Sequence, residues 1–332
     1  MDIHSGRSKH AGGLIFSLDF ELMWGVCDKR TIADYGANIL GARQAIPRML
    51  DMFANHNISA TWATVGLLFF EDKEALMAGL PTVKPCYKNA SLSAYSYLPN
   101  IGRDEKTDPY HFGLSLIQRI AETPKQEIAS HSFSHIYSLE AGMTDAAFDS
   151  DLNAAIAVAG QQDISLKSFV FPRNQVNLAH VKLCQAKGLT AYRGTEKSKI
   201  YHPQSAIGKG QLKRLGRLAD SYFNLSGHHG FIPKMAGSSI NLPSSRFLRP
   251  YAPRLRPLED RRINRTLESM RYCAENKYFF HLWTHPHNFG VNQDENLAAL
   301  SQIMNCAKQL DAEFGWPSYS MAEAARLETL ER

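Results

Sequence analysis

Cysteine is scarce in this sequence. Five residues, Cys27, Cys86, Cys184, Cys273 and Cys306, are scattered along 332 positions. None forms a C-x-x-C pair and the number is odd, which argues against a disulfide framework and against a cysteine zinc site. Reduced thiols point to the cytoplasm. Long hydrophobic runs are also missing. The opening stretch "MDIHSGRSKHAGG" is polar, and Asp19 breaks the apolar run that follows it. No segment approaches the roughly 20 apolar residues of a membrane span, and no signal-peptide core is present. The expectation is therefore a cytoplasmic chain without a transmembrane segment. A strong charge of one sign is lacking too. The formal net charge is +5 and the pI about 8.8. That balance permits an anionic substrate but does not suggest a nucleic-acid partner, which normally leaves a concentrated basic stripe. There are no repeats and no low-complexity tract.

What is present is ordinary globular composition, 44% hydrophobic and 21% charged. Short apolar runs alternate with longer amphipathic ones. "GLIFSLDF" (13–20), "ISATWATVGLLF" (58–69), "QEIASHS" (126–132), "LKSFVFPRN" (166–174), "LTAYRG" (189–194) and "KYFFHLWTH" (277–285) read as strands or strands with their exits. Between them, residues 41–57, 112–122, 145–162, 178–188, about 258–276 and about 294–313 carry a helical period. Pro47 is expected in the first turn of its helix, and Gly188 as a C-cap. Residues 81–110 look like an insertion, and 203–265 show no clear pattern. The alternation predicts parallel strands with crossover helices, about seven units. No Gly-rich phosphate loop follows the first strand, so an open or closed barrel is preferred to a doubly wound sheet. In a barrel, chemistry sits at the C-terminal ends of the strands.

The unusual polar residues lie there. Asp19 and Glu21 end the first strand two positions apart, on one strand face. The alternative is a loop pair capping a helix. His131 and His135 in "HSFSH" are four apart, a spacing that places both on one side of a helical turn, able to grip one metal ion. Arg173 in "FPRNQ" can pair with a carboxylate and orient it. "HLWTHPHNFG" places His281, His285 and His287 within seven residues, in a chain with thirteen histidines. His281 either points into the barrel or is a satisfied core histidine. The set together has the character of a hydrolytic metal site.

These motifs resemble those of the polysaccharide deacetylase family, also called the NodB-homology domain or carbohydrate esterase family 4. "SLDFE", "HSFSH", "FPRNQ" and "LWTHPH" match its motifs in order, and "ATWATVG" (60–66) is similar to its second strand. The likeness runs from about residue 13 to 290. It implies one deacetylase-like domain over 1–332: a distorted (β/α)7 TIM-like barrel with an insertion at 81–110, an Arg-rich segment at 245–265 and a C-terminal helix. It also implies metal-dependent removal of an acetyl group from a sugar. By this resemblance Asp19 is the general base, Arg173 steers it, and His285 is the general acid. His131 and His135 are ligands of a divalent metal, zinc foremost, with cobalt or nickel as alternatives. The family's second aspartate is Phe20 here, so Glu21 becomes the third ligand. A swap of Asp19 and Glu21 stays open, as does a metal-free site like that of the allantoinase-like branch. Trp24, Asn174, His281 and His287 are assigned to the substrate. Asp220 in "LADSYF" is the candidate for the family's fourth-motif acid, which orients the acid histidine.

A cytoplasmic member of this family implies a precursor as substrate, a nucleotide-linked or lipid-linked sugar, in the synthesis of a bacterial surface glycan. Seven arginines between Arg246 and Arg265, against Glu259 and Asp260 alone, suit a pyrophosphate or else form a solvated face. Tyr87, Tyr95 and Tyr97 in the insertion either stack on a sugar or pack the insertion down. The alternatives in function are a deformylase or other amide hydrolase of the same fold, or a catalytically silent carbohydrate-binding module.

Overall fold

The run "GLIFSLDF" becomes the strand β1 (Gly13–Phe20), and every one of its residues is buried. A strand covered on both faces needs a near-continuous apolar run, and Ser17 and Asp19 are its polar exceptions. The computed structural model describes residues 12–196, 198, 201, 211–237 and 239–330. After β1 come α1 (Ile32–Asn55), β2 (Ala60–Thr64), α2 (Lys73–Ala78), α3 (Leu114–Glu122), β3 (Gln126–Ser130), α4 (Asp145–Gly160), β4 (Ser168–Val170), α5 (Leu178–Ala186) and β5 (Ala191–Arg193). Then follow α6 (Gln211–Asp220), β6 (Lys234–Ala236), β7 (Ser239–Asn241), β8 (Arg246–Phe247), α7 (Glu259–Glu275), β9 (Phe279–Thr284), α8 (Gln293–Phe314), β10 (Ser318–Tyr319) and α9 (Met321–Leu330).

The strands form one sheet in the order β6-β7-β5-β4-β3-β2-β1-β9-β8, with β10 also on β1. All ladders are parallel except β6–β7. One segment brings the two flanks together. The Leu242 and Ser244 amides donate to Tyr192 and Gly194 on the β5 side, while the Ser245 and Leu248 amides donate to His281 and Trp283 on the β9 side. Four consecutive residues reach at most about 14 Å, so the sheet must curl. This is the α/β architecture expected, wound as a distorted barrel.

Two expectations about elements change. α1 starts at Ile32, nine residues before the predicted 41, because Thr31 and Asp34 form a capping box. Pro47 therefore lies inside the helix, not in its first turn. Gly41 hid the early start, and its absent side chain is needed: a Cβ there would lie 1.8 Å from the Gly290 carbonyl oxygen. The insertion does not reach the site with its aromatic rings. It holds short 3-10 turns whose Ala94, Leu98 and Ile101 join the main core, with Tyr95 and Tyr97 packed against it. The Tyr87 hydroxyl accepts from the Tyr137 amide. No helix among the described residues is long and apolar enough to cross a membrane.

Candidate metal-binding and catalytic site

Glu21 follows β1 directly. Leu22 after it has a left-handed backbone (φ 44°), which turns the chain out of the sheet into a 3-10 turn (Leu22–Gly25). Gly25 leaves the room that the Glu21 side chain fills, since a Cβ there would meet the Glu21 carboxyl carbon at 1.9 Å. Glu21 Oε2 lies 3.3 Å from His131 Nε2 and 3.0 Å from His135 Nε2, and all three side chains are buried. The histidine pair follows β3, but not on a helical turn. Ser132 and His135 both have positive φ (62° and 54°), and this bent loop brings the rings to 5.1 Å between centroids. Asp151 from α4 holds the loop. Its carboxylate accepts from the Phe133 amide (2.7 Å), the Ser134 amide (3.0 Å) and the Ser134 hydroxyl (2.6 Å).

The donor set fits a divalent ion. His131 Nδ1 sits 2.8 Å from the Val170 carbonyl. A carbonyl only accepts, so the proton is on Nδ1 and the Nε2 lone pair faces Glu21. Two acceptors 3.3 Å apart in a buried site need something positive between them, a proton or a cation. Glu21 Oε2 and the two Nε2 atoms form a buried N2O set whose ligand atoms lie within 4.8 Å of one another, of the kind zinc prefers. Glu21 belongs to a second possible set with His285 and His287. Burial works to raise the Glu21 carboxyl pKa, but the surrounding imidazoles of His285, His135 and His131 outweigh it and hold it well below its usual value.

Asp19 is clamped from the far side of the sheet. Arg193, the last residue of β5, donates Nη1 to Oδ1 and Nη2 to Oδ2, both at 2.7 Å. Burial opposes ionisation of Asp19, but Arg193 and then His131 outweigh it and lower its pKa. Arg193 Nη2 also reaches Asn174 Oδ1 (3.1 Å) and Nη1 reaches Ser17 Oγ (3.0 Å). Facing both acids is His285, whose Nε2 is 3.8 Å from Asp19 Oδ2 and 3.7 Å from Glu21 Oε1. So the two carboxylates converge on one imidazole, although the strand ends between them. A cavity of about 370 Å³ opens over Asp19, Glu21, His131, His135, Asn174 and His285, with His287, Arg173, Phe247 and Trp283 among its walls.

Two solved structures share this architecture along almost their full length. One, assigned as a polysaccharide deacetylase from Mycobacterium smegmatis, superposes with a TM-score of 0.62 at 14% identity, covering 98% of this chain and 93% of its own. The other, assigned likewise, from Pseudomonas aeruginosa PAO1, gives 0.56 at 11% identity, covering 96% and 91%. The chain has the polysaccharide deacetylase fold. A 4-alpha-glucanotransferase from Thermococcus litoralis also matches, with a TM-score of 0.51 at 12% identity, 96% of this chain against 40% of that one. The architecture therefore occurs with more than one chemistry, and fold alone does not decide function. No family model matches the sequence, and neither does any curated protein.

Within this deacetylase fold, several assigned residues sit elsewhere than expected. Arg173 does not steer Asp19. Its own positive φ (55°) carries the side chain onto Asp28, with which it pairs, and over the Tyr137 ring at 4.0 Å. The residue on Asp19 is Arg193, which the sequence reading passed over, although it too is an arginine ending an apolar strand. Trp24 is buried, its Nε1 donating to the His111 carbonyl at 2.8 Å, and it does not line the cavity. His281 is a core histidine: Nδ1 donates to the Leu242 carbonyl (3.0 Å) and Nε2 accepts from the Ser17 hydroxyl (2.9 Å). His287 does line the cavity, stacked on His285 at 4.9 Å. Asp220 does not touch His285. It is held by Tyr201 and Ser226, and what stands 3.4 Å from His285 Nδ1 is the Asn288 amide.

Proposed function

We propose that the chain is a metal-dependent hydrolase that removes an N-acetyl group from a sugar or sugar precursor during synthesis of a bacterial surface polysaccharide. The observation that carries this reading is the buried Glu21 carboxylate faced by the Nε2 atoms of His131 and His135, beside the clamped Asp19 and opposite His285. Glu21, His131 and His135 would hold the ion. What such an ion supplies when bound is Lewis acidity toward a carbonyl oxygen and a lowered pKa for water. Asp19, kept ionised by Arg193, takes the proton of the attacking water. Its two oxygens are engaged by Arg193, but each retains a lone pair. His285, with Nε2 3.8 Å from Asp19 and 3.7 Å from Glu21, gives a proton to the leaving amine. Asn174 and His287 line the cavity where the sugar would bind. The five cysteines, none of which is in a disulfide, favour a reducing compartment, and with it a cytoplasmic precursor as substrate. The names of the two bacterial structures support the sugar class.

Metal content and acetate release together test this. The wild type should hold about one equivalent of zinc, cobalt or nickel by elemental analysis, and His131→Ala/His135→Ala should hold none. Asp19→Asn should keep the metal and lose acetate release from N-acetylated sugar nucleotides. Formate release instead of acetate would move the reading to a deformylase. No bound metal after incubation with all three ions would overturn it.

A further inference from the structure

Next to the candidate site is a second cavity, of about 270 Å³, which shares Arg173, Asn174, Phe247 and Trp283 with the first as a common wall. We propose that this side cavity holds a phosphoryl group carried by the substrate. The inference rests on the reading that the acylated sugar occupies the first cavity, and it specifies what that sugar is attached to.

The residues that make the cavity come from three places. Arg217 is in the last turn of α6, Arg246 begins β8, and Arg249 follows it; all three line the cavity with Tyr201, Glu196 and Ser221. Arg246 is the deepest, its side chain 5% exposed. Nη1 reaches the Asp220 carbonyl at 3.2 Å, and the Asp220 carboxylate at 3.6 Å. Its Nε and Nη2 are buried with no partner among the described residues. A buried guanidinium with two vacant donor positions is costly to keep unless something accepts from it. Asp220 cannot supply the rest. It already accepts from the Tyr201 hydroxyl (2.7 Å), the Ser226 hydroxyl (2.7 Å) and the amides of Leu225 and Ser226. Among the described residues neither Arg217 nor Arg249 forms an ion pair. Burial, opposed by Tyr201 and Tyr222 and joined by the like charge of Arg217, lowers the Arg249 pKa. Among the described residues Glu196 is the one acid on the lining, and burial raises its pKa.

Besides Arg173, which is paired with Asp28, three guanidiniums line the cavity, more than a single carboxylate can use. A phosphoryl group, with up to two charges and three free oxygens, takes several N–H donors at once. Phe247 and Trp283 between the cavities, 4.6 Å apart, give the sugar an apolar wall to lie against while its phosphate reaches the arginines.

The test is calorimetric titration at fixed ionic strength with three probes: N-acetylglucosamine, N-acetylglucosamine 1-phosphate and inorganic phosphate. The sugar phosphate should bind the wild type at least tenfold more tightly than the neutral sugar. Arg217→Gln/Arg249→Gln should lose at least tenfold for both phosphate-bearing probes with an unchanged melting temperature. Arg246→Lys, which keeps the charge opposite Asp220, should weaken the same two probes. No advantage of the sugar phosphate over the sugar, or equal binding by wild type and the double variant, would overturn the proposal. So would binding of inorganic phosphate alone, which would make the cavity a separate anion site. These readouts need no turnover. If phosphate discrimination holds but no acylated sugar releases acetate or formate, the hydrolase reading fails and the cavity assignment stands.

Discussion

Arg193 holds Asp19 by both oxygens in a site that water barely reaches, and this fixes what its replacement would do. Lysine keeps the charge but offers one point of contact where arginine offers a fork. Arg193→Lys should therefore fold, keep its metal, and lose about 10²-fold in kcat, the usual consequence of a group misplaced by about 1 Å. Arg193→Ala is different in kind. It strands a buried carboxylate, and a loss of about 3–5 kcal/mol of stability is expected. Urea denaturation with steady-state kinetics separates the two; equal kcat in wild type and Arg193→Lys would remove Arg193 from the mechanism. Gly25 makes a second prediction at this scale. An added methyl would overlap the Glu21 carboxyl. Gly25 does not have a positive φ, so the Ala backbone is unstrained. Gly25→Ala should fold normally and bind metal at least tenfold more weakly, read by competition with a chelator. Unchanged affinity would show that Glu21 is not a ligand. Asp19, Glu21, His131, His135 and His285 were legible because each is a polar residue where an apolar strand ends. Arg173 and Arg193 look alike by that rule. What separates them is a left-handed φ at one and the twist of the sheet at the other, neither of which is written locally in the sequence.

The element that matters most for the histidine pair is the bent loop between β3 and α4. Its two left-handed residues are unfavourable for side-chain-bearing positions, so the loop needs external support, and Asp151 provides it with three accepted hydrogen bonds. Burial raises the Asp151 pKa to about 6, against the hydrogen bonds that lower it. Asp151→Ala would leave two buried amides and a hydroxyl unsatisfied, at about 1–3 kcal/mol each. A loss of about 3 kcal/mol or more in urea denaturation is expected, with loss of metal. Asp151→Ala within about 1 kcal/mol of the wild type would mean the loop supports itself. This anchor was not visible in the sequence because it sits eighteen residues from Phe133 and looks like any acid on an amphipathic helix. The same limit explains residues 211–265 of the segment without a clear pattern, of which 203–210 lie outside the described residues. The strands there are two or three residues long, and β7 and β8 are placed by partners far along the chain, β5 and β9, so there is no period to read. The longer helices α4, α7 and α8 carry enough turns for their period to show.

Across the whole molecule, folding forces several histidines to stay neutral, and stability should depend on pH accordingly. The clearest case is His281, fully buried between Leu242 and Ser17. Burial, with the nearby Arg193 charge, lowers its pKa to about 3 from an ordinary value of 6.5. Between those values the unfolded chain binds a proton that the folded chain refuses. The stability His281 contributes is complete above about pH 6.5 and is lost as pH falls toward 3. One proton amounts to about 1.4 kcal/mol per pH unit, so acidification from pH 6.5 to 5 should cost about 2 kcal/mol through this residue. Asp151 acts in the opposite sense: its raised pKa favours the protonated fold, and that contribution fades as pH rises from about 4 through 6. A wild-type curve alone would mix the two, so the comparison must be with a variant. His281→Gln should be less stable than the wild type at pH 7, yet lose about 2 kcal/mol less on going to pH 5. Urea denaturation of chelator-treated protein at the two pH values measures this with no contribution from metal. If both proteins lose the same amount, His281 does not titrate as a buried neutral group. The chain Leu242–His281–Ser17–Arg193 would then not be what holds Arg193 against Asp19. If the difference appears, the core histidine and the Arg193–Asp19 clamp belong to one network, and loss of His281 should lower kcat at pH 7 as well.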